Sequence, residues 1–374
     1  MKLAEVFTMV VPEERGLGFK AFDGSAAGAP SQLRLARAHV AGDLEIVCDP
    51  FEAMMRLYPS AKPHIGIGEW LRLVGKFLPA ALKRPTPPPQ EQKLTGSRHS
   101  KGRDAEAIHH HYDVSNRFYR LVLGPSMAYT CAVFPNADAS LEIAQDGKFD
   151  LICRKLGLRP GMTLLDIDCG WGGMVLHAVK HYGVKAIGVT VSERQAEWRQ
   201  EAIEAQGMAG QAQIRFSDYR DVPEAGFDAI SSIGLTEYIG RESYFSYFVF
   251  AFAFGKFKPE GRMLNHTIIR PSDAEPSHYR DSFINRNVFP EGELSGPGHI
   301  MSTMNDAGFE IRHEENLREH YALTLKHWCQ NLKDHWDEVV EEAGLGTARV
   351  WRLYLPPRGW ASSSIRFNCT RHWA

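Results

Sequence analysis

The sequence predicts an α/β fold, a mostly parallel sheet with helices on both faces, from two features. The first is the stretch Leu164-Leu165-Asp166-Ile167-Asp168-Cys169-Gly170-Trp171-Gly172-Gly173, in which an apolar run starting at Met162 ends on a carboxylate and passes into a glycine turn. Such a run is long enough for one buried strand, and the helical stretch Met174 to Lys180, stopping at Gly183, completes strand, turn and helix. That is the first half of a doubly wound nucleotide-binding unit. The second feature is the alternation of short apolar runs with helical segments that continues to the C-terminus.

Each element follows in order. Gln32 to Val40 has helical spacing, Leu44 to Cys48 reads as a strand and Pro50 to Leu57 as a helix, so residues 1–75 make a small N-terminal accessory domain. Residues 76–103 form a basic, proline-rich linker or exposed arm. Pro85, Pro87, Pro88 and Pro89 exclude regular structure, and Lys76, Lys83, Arg84, Lys93, Arg98, Lys101 and Arg103 face a single acid, Glu91. A solvated linker and a contact with anionic lipid headgroups, at ~1 kcal/mol per basic residue, both fit that charge.

Residues 104–374 carry the α/β core. Residues 140–157 read as a helix leading into the first strand, Ala186 to Thr190 as the second strand, Gln213 to Ser217 as the third and Phe227 to Ile233 as the fourth. Tyr244 to Phe257 reads as a phenylalanine-rich helix packed on the sheet, and Gly261 to Ile269 as a fifth strand holding His266. The strand ends at Asp166, Thr190, Asp218 and Glu237 then fall on one rim, where such sheets bind ligands. In place of the carboxylate that dinucleotide enzymes use for ribose, the second strand ends in Thr190-Val191-Ser192 with Gln195 beyond, which offers hydroxyls and an amide.

Composition excludes several functions. The 374 residues, 44% hydrophobic, bury a sizeable core, and a formal net charge of -2 gives no basic field for nucleic acid. The six cysteines show no CxxC pair. His109, His110 and His111 are adjacent and so cannot share a helix face, and no metal site is expected. The N-terminus has no signal-peptide core, and the most apolar run, Tyr244 to Gly255, is too short for a bilayer, for which ~20 residues are needed. A cytoplasmic protein is expected.

The motifs together resemble the cyclopropane-fatty-acid synthase family of class I S-adenosylmethionine-dependent methyltransferases. They are His111-Tyr112-Asp113-Val114-Ser115-Asn116 with Phe118-Tyr119, Gly124 to Met127, Tyr129-Thr130-Cys131-Ala132, Cys169 to Gly173, Gly188-Val189-Thr190, Ser192 with Gln195, and Asp218 to Val222. Ser232-Ile233-Gly234 with Glu237, His266-Thr267-Ile268, Phe289-Pro290, His320-Tyr321-Ala322 with Thr324-Leu325 and Trp328, and Trp351 to Leu355 complete the set. The resemblance implies a Rossmann-like methyltransferase sheet and a methyl donor, S-adenosylmethionine, held by Tyr129, Thr130, Asp166, Asp168, Cys169, Gly170, Trp171, Gly172, Thr190, Ser192, Gln195, Asp218 and Tyr219. Thr190 and Gln195 would serve the ribose hydroxyls, and Asp218 the adenine amino group.

It further implies methyl transfer to a cis double bond in the acyl chain of a membrane phospholipid. The resulting carbocation would close to a cyclopropane by losing a proton to bicarbonate, held by Cys131, Glu237, His266, Ile268 and Tyr321. Loss of a proton from the neighbouring chain carbon would leave a methylene branch instead. Peripheral association with an anionic membrane surface and a homodimer are implied as well. A methyltransferase for a small polar acceptor and a non-catalytic lipid- or donor-binding subunit stay open as readings.

Five departures from the family pattern stand out, one of them Pro356-Pro357-Arg358-Gly359 in place of a cysteine often present after Tyr354-Leu355. Asp168 occupies the place of the turn's first glycine, which implies weaker donor binding, and Tyr238 stands where histidine is common. Asn285-Arg286-Asn287 replaces a basic-aromatic run, and Asn368 to Ala374 does not match the usual final strand.

Overall fold

A computed structural model of the chain describes residues 19–21, 32–46, 87–91, 114–253, 256–270, 273, 283–290, 292–363 and 368–373. The expected helix over Pro50 to Leu57, the histidines 109–111 and most of the basic linker lie outside the described residues.

The central sheet is built on β3 (Thr163–Ile167), β4 (Lys185–Thr190), β5 (Ala212–Phe216), β6 (Phe227–Ile233) and β7 (Phe257–Ile269). These five are parallel, in spatial order β5-β4-β3-β6-β7. The chain steps outward from β3 through β4 to β5, then crosses to β6 on the other side, which leaves the switch point between β3 and β6. This is a Rossmann-like sheet, and its strands begin and end within a few residues of where the apolar runs place them.

β3 is near-continuously apolar because it is buried on both faces. Leu164 packs with Ile152, Met174 and Val175 on one side, while Leu165 and Ile167 pack with Tyr247, Phe248 and Ile300 on the other. The helices α3 (Leu141–Leu156), α4 (Gly173–Tyr182) and α5 (Glu193–Ala205) supply the first layer, and α6 (Tyr244–Ala253) and α8 (Pro297–Asp306) the second. Local signals fix their ends. Ser140 caps α3 by accepting from Ile143 N at 3.3 Å, and the left-handed Gly157 stops it.

A third layer lies over the rim. It joins α2 (Asn116–Leu123) and the segment 127–134 to α7 (Phe283–Asn287), α9 (Arg318–Asp334) and α10 (Trp336–Ser363), the last broken by a non-helical Gly344. Near the N-terminus, β1 (Phe19–Ala21) pairs antiparallel with β2 (Leu44–Ile46), and α1 (Gln32–Ala41) between them packs on α10.

One expectation needs correcting: the aromatic helix ends at Ala253, and Phe257 opens β7. The C-terminal stretch, whose sequence departs from the family's usual final strand, is β9 (Asn368–Trp373), antiparallel between β7 and β8 (His313–Asn316). Within the linker, Pro88 is buried and Glu91 accepts from Arg37 Nη2 of α1 at 2.8 Å.

Candidate active site

The parallel strands bring Asp166, Thr190, Asp218 and Glu237 to one rim, as expected, since each closes or follows β3, β4, β5 or β6. Asp166 is buried, and Ser231 on β6 donates to its Oδ1 at 2.6 Å. Burial pushes its carboxyl up to about 7 against the pull of Ser231 and Lys148. The chain then turns left-handed at Asp168 (φ 57°), Gly170 (φ 53°) and Gly172 (φ 64°). Aspartate tolerates this conformation better than most residues, so the turn survives the missing glycine. Asp168 is also pushed up to about 7, by burial first and then by Glu237 and Asp166.

The glycines of the turn differ in what they face. A Cβ on Gly170 would meet nothing within 4 Å, so this backbone borders open space where a ligand can lie. A Cβ on Gly172 would meet Arg199 Cγ at 2.8 Å, and one on Gly173 the Phe149 ring at 2.6 Å. Those two serve packing of the turn against α5 and α3. Arg199, buried in α5, donates to the Trp171 carbonyl, and Trp171 Nε1 donates to Asn116 Oδ1 at 2.9 Å. Cys169 is anchored by its N–H on Val189 O at 2.9 Å, and its thiol is pushed up by burial.

At the end of β4, Thr190 Oγ1 donates to Gln195 Oε1 at 2.8 Å, and Ser192 accepts from Gln195 N at 3.4 Å as it caps α5. All three are buried. A buried hydroxyl and amide beside an open glycine backbone fit the hydroxyl-rich part of a nucleoside donor. Asp218 is placed at the rim, but Arg220 grips it: Nε donates to Oδ1 at 2.7 Å and Nη2 to Oδ2 at 2.5 Å. An adenine amino group would share that carboxylate with Arg220. Tyr219 packs edge-on against Tyr247 and Phe250.

Of the five residues expected to hold the anion, Glu237, His266 and Ile268 lie at the β6–β7 end of the rim, and Cys131 and Tyr321 belong to the apolar cluster against which Ile268 packs. Glu237 is buried, and its Oε1 accepts from Ile268 N at 2.7 Å. His266 lies two residues earlier on β7, hence on the same face of the sheet, and is 2% exposed. Cys131 donates its thiol to Ala132 O at 3.2 Å and Leu317 O at 3.7 Å, which assigns it to packing. Leu317 opens α9, and one turn on Tyr321 packs into the same apolar cluster as Cys131 and Ile268. Tyr129 joins that cluster against Trp328 and Trp351, with its hydroxyl pushed well up by burial.

Two residues were missed. Gln145 and Lys148 on α3 are both 0% exposed. Gln145 Nε2 donates to Thr130 O at 3.0 Å and Lys148 Nζ to Thr130 Oγ1 at 2.8 Å. Together they tie the 129–132 segment to α3, and the ammonium lowers Asp166. Both sit on an ordinary amphipathic helix, where a lone lysine reads as solvent-facing.

The sequence profile of the family described as mycolic acid cyclopropane synthetase matches residues 99–366. The chain belongs to this family. It is therefore an S-adenosylmethionine-dependent methyltransferase. A probable fatty acid methyltransferase of Mycobacterium tuberculosis is 48% identical over 98% of this chain and 91% of its own. The cyclopropane-fatty-acyl-phospholipid synthase of Escherichia coli K12 is 35% identical over 66% and 61% respectively. Among solved structures, the cyclopropane synthase MmaA2 of M. tuberculosis superposes with a TM-score of 0.68 at 29% identity, covering 72% of this chain and 97% of that one. A mycolic acid cyclopropane synthase, CmaA1, solved in complex with SAH and CTAB, gives 0.67 at 29% identity, over the same shares.

Family membership and the relative solved with SAH support S-adenosylmethionine as the methyl donor. Among the described residues no helix is long and apolar enough to cross a membrane.

Proposed function

We propose that the enzyme methylates the cis double bond of an unsaturated acyl chain carried by a membrane phospholipid, and that the product is a cyclopropane. The observation that carries this reading is the Glu237 carboxylate, buried at the end of β6 and fixed by the Ile268 N–H beside the aromatic cluster of the third layer. An alkene is a weak nucleophile, and S-adenosylmethionine supplies the methyl group with a sulfonium leaving group. Glu237, His266 and Tyr321 would hold bicarbonate, whose chemistry there is that of a small base. Their own part is to fix negative charge beside a developing carbocation in a region closed to water, where fixed charges act strongly. The apolar wall excludes water that would otherwise quench the cation.

The basic residues of the linker support docking on an anionic membrane surface, and a homodimer accords with the resemblance. The N-terminal segment is read as an accessory domain and the cytoplasm as the compartment.

Glu237→Gln tests the reading. Gas chromatography–mass spectrometry of lipids from a host expressing each form should show a cyclopropane product for the wild type. The variant should lose roughly 100-fold or more of it, the scale of removing one preorganised electrostatic group, while still binding donor. A methylene-branched product would move the deprotonation to a chain carbon. An undiminished variant would favour a small polar acceptor.

A further inference from the structure

Away from the rim, where α3 and α4 pack together, three ligating side chains converge. His177 and His181 lie one turn apart on α4, so their imidazoles share a face, with ring centroids 4.5 Å apart. Asp146 on α3 places Oδ1 2.8 Å from His177 Nδ1. One nitrogen from each imidazole and one oxygen of Asp146 all lie within 4.8 Å of one another.

His177 is the inner member, 7% exposed, and its Nδ1, the nitrogen beside Asp146 Oδ1, is the one that an ion shared with Asp146 would take. Asp146 and His181 are exposed at the outer edge, where an ion can enter and water can complete its shell.

We propose that Asp146, His177 and His181 form a binding site for a divalent transition-metal ion that prefers imidazole and carboxylate, zinc first among them. Zinc bonds of ~2.0–2.2 Å in a tetrahedral shell set donor atoms ~3.3–3.5 Å apart. The exposed Asp146 and His181 reach that spacing by small side-chain rotations, with His177 held in place by its surroundings. Imidazole donors favour zinc, nickel and copper over magnesium or calcium. The ion would staple α3 to α4. α3 carries Gln145 and Lys148 next to Asp146, and α4 starts at the glycine turn, so the staple would brace both supports of the donor side.

The test uses the full chain stripped with a chelator, and zinc alone as the probe. So that His109, His110 and His111 contribute nothing to the signal, titrations run in a background with all three changed to alanine. Calorimetry in that background should give one ion per chain with a Kd of ~10 μM or tighter, and a zinc-dependent rise in thermal midpoint. His181→Ala and Asp146→Asn, both at exposed positions and so without a folding penalty, should each weaken binding about tenfold or more and remove the thermal shift. Zinc affinity unchanged by His181→Ala, or no binding at ~100 μM zinc, overturns the proposal.

Discussion

Replacing Asp168 probes the most unusual feature of the donor turn. Asp168→Asn removes the charge and keeps a side chain that tolerates the left-handed φ of 57°. The wild-type carboxyl is pushed up to about 7 from 3.8, by burial first and then by Glu237 and Asp166. At 1.36 kcal/mol per unit, that is about 4 kcal/mol between the two protonation states, and about half of it once partial contact with water is allowed for.

The folded pKa lies above the unfolded one. Any stability contributed by the proton is therefore complete below about pH 4 and is lost as pH rises through about 7. Asp168→Asn should match the wild type near pH 4 and be the more stable form at pH 8, with the gap widening by on the order of 2 kcal/mol between pH 5 and pH 8. Thermal unfolding at the two pH values measures this. The ionised carboxylate also burdens the donor's own carboxylate, so Asp168→Gly and Asp168→Asn should tighten S-adenosylmethionine binding about tenfold at pH 8 and less at pH 6. A donor affinity indifferent to both substitutions, together with a pH-independent stability gap, would refute the reasoning.

Lys148→Met removes the buried ammonium from Thr130 and from Asp166. Methyl transfer at pH 7 should fall roughly 10- to 100-fold, and its pH profile should move to higher pH, because Asp166 loses the cation that favours its ionised form. Two alanine substitutions separate the ligand-facing backbone from packing. Gly188→Ala would press on Ile214 Cδ1 at 2.6 Å and Cys169 Sγ at 2.8 Å and should cost about 1–3 kcal/mol of stability. Gly170→Ala meets nothing within 4 Å and should cost only about 1 kcal/mol, from its left-handed backbone, yet weaken donor binding at least about tenfold in calorimetry.

What could be read from the sequence was what depends on neighbours along the chain. The apolar run before Asp166 marks β3 because both faces of that strand are covered, and Ser140 and Gly157 mark α3 because capping is local. The left-handed turn at Asp168 was legible because the family motif has a glycine there and aspartate tolerates that backbone. The roles that escaped depend on packing between distant elements. Asp146 and His177 are separated by 31 positions and meet only because α3 lies against α4. Lys148 and Arg199 read as surface charges on their helices, yet each reaches inward to hold a loop. Gly172 looks like a ligand-facing glycine in the motif, and only the nearness of Arg199 and Ile214 shows that it serves packing.

The donor turn and the acceptor wall are mechanically one piece. The third layer draws most of its residues from two stretches that flank the parallel sheet in sequence, 118–144 before it and 288–355 after it, joined by Val40 and Trp171. Trp171, inside the donor turn, packs 4.7 Å from Tyr119, which touches Tyr129 and Trp351, and Tyr129 in turn contacts Trp328 and Phe289. These rings, most of them tilted against one another, fill space with little freedom to shift, so a displacement at one is passed to the next. With the acyl acceptor proposed above, ordering of the turn by the donor would tighten this wall, and a chain lodged against Tyr129 or Trp351 would steady the turn, so the two substrates would bind with positive coupling through the shared cluster.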